Sequence, residues 1–125
     1  MPFDRLNALV SAIIPDAIVK ELNKSWIETP WIYINRWSIF HFIWGAIMPY
    51  FIGPSRPLYA LVVHTVWEII EYGLAYGGHP LFVEEAVDIL WDTVIYMLGY
   101  VIVSKCMIIW KTYEQQHMKL PRYRV

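Results

Sequence analysis

Between Arg56 and Lys105 the chain has no lysine or arginine, yet this stretch carries Glu68, Glu71, Glu84, Glu85, Asp88 and Asp92 among long apolar runs. A carboxylate in such surroundings is costly to ionise unless water, a proton, a histidine or a bound metal compensates it. With no cation nearby in sequence, the fold has to bring one of these to the acids.

The composition narrows the class of fold. Of the 125 residues 58% are hydrophobic and 17% aromatic, with seven tryptophans, and the mean hydropathy is positive. That exceeds what an ordinary water-soluble domain carries and points to one membrane domain built from a few helices. A net charge of −1, with all ten cations outside the central stretch, opposes nucleic-acid binding, which needs a basic surface. Cys106 is the single cysteine, so neither an intrachain disulfide nor a thiolate zinc cluster is expected. The amino end, whose short apolar stretch is broken by Pro15, does not read as a signal peptide.

The expected fold is all-α: a transmembrane bundle of about three spanning helices behind an amino-terminal interfacial helix. In the interfacial segment, residues 1–36, Phe3, Leu6, Val10, Ile13, Ala17 and Ile18 recur at helical spacing opposite Asp4, Ser11, Asp16, Lys20 and Glu21. Its uncharged part is too short to cross hydrocarbon, and Pro15 is expected to kink or end it. Trp26, Trp31 and Tyr33 suit the headgroup zone. Spans are expected at 37–53, with Pro49 as a kink, at 58–76, and at 83–110. Turns are expected at Gly53–Pro57 and Gly77–Pro80. Residues 111–125 are read as a loose or surface-bound basic tail.

The polar residues fall into register. His64, Glu68 and Glu71 lie on one face of the second span, and Glu85, Asp88 and Asp92 on one face of the third. Folding these two spans as an antiparallel hairpin sets Glu71 level with Asp88, Glu68 with Asp92 and His64 with Tyr96. The first turn, folded likewise, brings His41 within about one helical turn of Glu68. His41, Glu68, Glu71, Asp88 and Asp92 are therefore the expected site, able to hold a divalent metal of unassigned identity or to share protons. A mixed imidazole and carboxylate shell suits zinc, manganese or iron, and an all-oxygen shell magnesium or calcium.

Plainer roles account for other residues. Glu84 and Glu85 complement a helix dipole, His79 is a loop residue, and His117 a tail residue. His64 divides evenly between a hydrogen bond to a neighbouring helix and a part in the cluster. The acids themselves could form a protonated, hydrogen-bonded network that fixes register. Gly45 and Gly99 are expected to permit close helix contact. No hydroxyl has a base and orienting acid at a recognised spacing, which disfavours covalent catalysis.

His41-Phe-Ile-Trp-Gly45 in one span, Trp67-Glu68-Ile-Ile-Glu71-Tyr72 in the next, and Asp88-Ile-Leu-Trp-Asp92 with Gly99 in the third resemble the VanZ-like and YjdF-like small bacterial membrane proteins. The resemblance covers roughly the middle half of the chain. It implies a polytopic membrane protein whose His41, Glu68, Glu71, Asp88 and Asp92 converge inside the bundle. This chain is shorter than the family pattern and has the amphipathic segment where relatives usually have further spans.

The expected function is that of a small multi-pass membrane protein whose cluster binds a divalent metal or shares protons. If it is catalytic, Glu68 or Asp92 is the base and a lipid or envelope headgroup the substrate. The alternatives are a structural subunit of a larger membrane assembly, a virion membrane included, or an oligomeric proton or ion conduit. The bilayer is the expected partner, with self-association or a larger membrane complex beside it and no nucleic acid.

Overall fold

The computed structural model describes residues 8–9, 12–13, 16–76 and 86–118. Its elements are α1 (Asp16–Leu22), strands β1 (Ser25–Glu28) and β2 (Tyr33–Asn35), α2 (Trp37–Ile52), α3 (Pro57–Tyr76) and α4 (Ala86–Met118). The chain is mostly helical, as expected, but it is not all-α. β1 and β2 form an antiparallel pair that matches Ile27 with Ile34 and Glu28 with Tyr33. Thr29 closes the turn, its Oγ1 accepting from the Ile32 amide at 2.9 Å while its own amide donates to the Ile32 carbonyl at 2.8 Å. The aromatic and β-branched residues read as a headgroup crossing thus also serve as hairpin formers.

α1 lies against the start of α2. Arg36 pairs with Glu21 at 2.6 Å, and the Trp37 indole donates to Asn23 Oδ1 at 3.1 Å. A hydrogen bond from Lys24, the largest influence, holds the exposed Glu21 carboxyl below its usual range. The expected helical contacts at Phe3, Leu6 and Val10 and the kink at Pro15 lie outside the described residues, as do the Gly77–Pro80 turn, Glu84 and Glu85.

α2 and α4 run parallel and form the main seam of the bundle, with α3 antiparallel beside them. Glycine sets that seam. A methyl group on Gly45 would stand 1.9 Å from the Tyr96 carbonyl oxygen, and one on Gly99 2.3 Å from the Phe42 carbonyl oxygen. Both neighbours are backbone atoms, so the helices meet this closely only where side chains are missing, as expected for these two glycines. α2 continues through Pro49 to Ile52 and ends at Gly53, whose φ of +91° favours glycine. Pro57 takes the first position of α3, where its missing N–H costs nothing. The Tyr100 hydroxyl clamps the intervening turn, donating to the Gly53 carbonyl at 2.8 Å and accepting from the Arg56 amide at 2.9 Å.

Among the described residues, one helix, α4, is long and apolar enough to cross a membrane. The other two expected spans are not among such helices: α2 is apolar but has 16 residues, and α3, with 20 residues, carries His64, Glu68 and Glu71 on one face and is not a candidate span either. α4 also continues beyond the expected end at Trp110 to Met118, so the first part of the expected tail is helix. The burial pattern is inverted relative to a water-soluble protein. Among the described residues, nine polar or charged ones are buried against four hydrophobic ones, Met48, Ala60, Tyr96 and Tyr100. Ile39, Phe40, Ile47, Phe51, Val62, Val66, Ile69, Ile70, Leu98 and Ile102 face outward.

Candidate metal centre

The site occupies the α2–α3–α4 junction, on the hairpin side of the glycine contact, and is built from the start of α2 inward. Asn35 ends β2 and caps α2: its Oδ1 accepts from the Ser38 amide at 3.0 Å, while the Ser38 Oγ accepts from the Asn35 amide at 3.3 Å. This reciprocal pairing resembles a capping box and fixes the first turn. The Ser38 hydroxyl then donates to Asp92 Oδ1 at 2.8 Å. Asn35 Nδ2 also reaches Asp88 Oδ1 at 3.5 Å, and the Trp91 indole donates to the Trp31 carbonyl at 2.7 Å. The hairpin is thereby tied to the first turns of α4.

One turn further along α2, His41 stands with Nε2 3.3 Å from Asp92 Oδ2. On α3, His64 Nε2 lies 3.1 Å from Glu68 Oε1, the i, i+4 spacing placing both on one face. Tyr96 stacks on the His64 ring, centroids 4.4 Å apart and planes 11° from parallel, and His41 meets the same ring edge-on at 5.2 Å. His64 is thus held between residues of both neighbouring helices. Donor atoms of His41, His64 and Glu68 lie within 4.8 Å of one another, and all three residues are buried.

Both nitrogen–oxygen pairs are within ion-pair range, yet neither is aligned as a hydrogen bond. His64 Nε2, both Glu68 carboxylate oxygens and Asp92 Oδ2 are buried with no hydrogen-bond partner. Groups so placed are expensive to leave unmet. A cation between them would satisfy several at once, which is the sense in which the donor set fits a metal.

Of the five expected site residues, the structure brings His41, Glu68 and Asp92 to one level. Glu71 and Asp88 are buried as well, but they do not join the group of converging donors. The expected levels recur in part, since His64 does meet Tyr96 and His41 does meet Asp92. In sequence alone His64 divides evenly between a helix contact and the cluster, and Asn35 carries no expected role. The i, i+4 pairing of His64 with Glu68 was a usable signal for the first. The Asn35-x-x-Ser38 cap was a weaker one for the second.

Searched against protein-family models, curated proteins and solved structures, the chain matches none.

Proposed function

We propose that this chain is a small multi-pass membrane protein that holds a divalent metal ion inside its helix bundle. The observation that carries the reading is the convergence of buried His41, His64 and Glu68 donor atoms within 4.8 Å, with Asp92 against His41. Charge supports it. A dication set against the Glu68 and Asp92 carboxylates gives a neutral cluster when the imidazoles are neutral, the cheapest state to bury among apolar helices.

The multi-pass reading is supported by the inverted burial, in which polar groups turn inward and large apolar side chains outward. α3, at 20 residues, has a length of about 30 Å, enough for a hydrocarbon core. The shorter α2 enters through Trp37, a residue suited to the interface. A VanZ-like relationship belongs to the same proposal, because His41, Glu68 and Asp92 are motif residues of that resemblance. If the centre is catalytic, the metal supplies Lewis-acid chemistry, and a lipid or envelope headgroup is the substrate class.

Elemental analysis of detergent-purified protein, equilibrated with zinc, manganese or ferrous ions and then desalted, tests the proposal. The expected result is about one ion per chain, lost in Glu68→Gln. Wild-type protein that retains none of these ions sinks the metal reading. Proton flux in liposomes, abolished by Glu68→Gln and Asp92→Asn, would then favour a relay.

A further inference from the structure

We infer that the five acidic and histidine residues expected to act together divide into roles, and that His64 belongs with the ligands: His41, His64 and Glu68 bind the ion, Asp92 and Ser38 position His41, and Glu71 and Asp88 stand outside the shell. The ion is a first-row transition-metal dication such as zinc or ferrous iron, not magnesium or calcium, and it keeps a coordination position open for water or a substrate oxygen. This rests on the metal reading above and adds the ligand set, the metal class and the open position.

The division follows from who reaches whom. Glu68 is nine-tenths buried with both carboxylate oxygens free of hydrogen bonds, and it faces His64 Nε2. The 3.1 Å separation of that pair is close to the ~3.3 Å edge of a tetrahedron with metal–ligand bonds of roughly 2.0–2.1 Å. His41 closes the triad. Asp92 is different. It meets the triad through His41, and its other oxygen is held by the Ser38 hydroxyl. A carboxylate standing on a ligating histidine fixes the orientation and tautomer of the ring, and a hydroxyl holding that carboxylate extends the same control.

Metal class follows from donor chemistry. Two imidazoles and one carboxylate suit zinc and ferrous iron, whereas magnesium and calcium take oxygen shells. Three protein donors are also one fewer than a closed structural zinc site uses. Glu71 lies one turn beyond Glu68 on α3, and Asp88 one turn before Asp92 on α4, with Asn35 beside it. Both acids are on the hairpin side of the shell.

The test is metal titration of apo protein in detergent with zinc, cobalt(II), magnesium and calcium, together with the visible spectrum of the cobalt form. Zinc and cobalt should bind one to one, and magnesium and calcium at least ~100-fold more weakly. The cobalt form should show the intense visible bands of a four-coordinate ion, which wild-type protein reports without any variant having to fold. His41→Gln, His64→Gln and Glu68→Gln should abolish stoichiometric binding. Asp92→Asn should keep the stoichiometry and weaken affinity by roughly 10–100-fold, Ser38→Ala by less, and Glu71→Gln should leave the cobalt spectrum unchanged.

Failure of wild-type protein to bind any of the four ions overturns the metal reading and this assignment with it. Binding that favours magnesium or calcium, a weak octahedral cobalt spectrum, or stoichiometric binding by a folded His64→Gln protein overturns the assignment alone. Loss of all binding in folded Asp92→Asn makes Asp92 a ligand and overturns the division of roles.

Discussion

The two ends of the α2–α4 seam use opposite means to hold the same pair of helices. Toward the hairpin, Asn35, Ser38, His41, Asp88 and Asp92 meet through polar side chains, some of whose atoms lack hydrogen bonds. Toward the other end, Gly45 and Gly99 let backbone touch backbone, and Tyr100 fastens the turn beyond. Apart from Ser104 Oγ, which is buried without a hydrogen-bond partner, the apolar end is satisfied within the chain, whereas the polar end leaves several such atoms. A tight seam one to two turns away lets donor atoms converge without collapsing onto one another, because it fixes helix spacing independently of the site.

The largest expected effect comes from the tight end. Gly45→Ala or Gly99→Ala forces backbone apart and should destabilise the fold by about 3 kcal/mol, the upper end of the usual range for overpacking, read as loss of monodisperse protein or a lower melting temperature in detergent. An Ala variant that melts like wild type would show that this seam is not the organising contact. Next is the polar end with its ion: zinc at about 100 times its Kd should stabilise wild type by ~2.7 kcal/mol and Glu68→Gln not at all. Equal stabilisation of both proteins would place the ion elsewhere. Tyr100→Phe removes both clamp hydrogen bonds and should cost about 1–2 kcal/mol while zinc affinity is unchanged. A fall in affinity would mean that the two ends are coupled. Smallest is Asn35→Ala, which removes the cap of α2 at a cost of about 1 kcal/mol, measured by thermal melting.

Much of the polar arrangement was legible because helical spacing is rigid. Counting residues from the turns placed His64 level with Tyr96, and the stacked rings bear that out. Gly45 and Gly99 stood out as residues without side chains in otherwise bulky helices, and they lie at the closest approach. What was not legible depends on contacts between segments distant in sequence. The strand pair is short, and its Trp26, Ile27, Tyr33 and Ile34 have the same composition as an interfacial crossing. Depth along neighbouring helices sets His41, Glu68 and Asp92 at one level but does not reveal that α2 packs chiefly on α4, the contact that puts Asp92 against His41. Asn35 acts through a cap and a tertiary contact, neither of which leaves a periodic trace.

α4 continues well past its last contact with the turn. From the Gly99 crossing to Met118 it extends for about 28 Å, and its residues from Ile108 onward are exposed. Geometrically it is a lever with its fulcrum at the glycine crossing: a tilt of 5° there swings the far tip by roughly 2.5 Å. A spin label on the exposed Cys106, along that arm, would register such a tilt from outside the bundle.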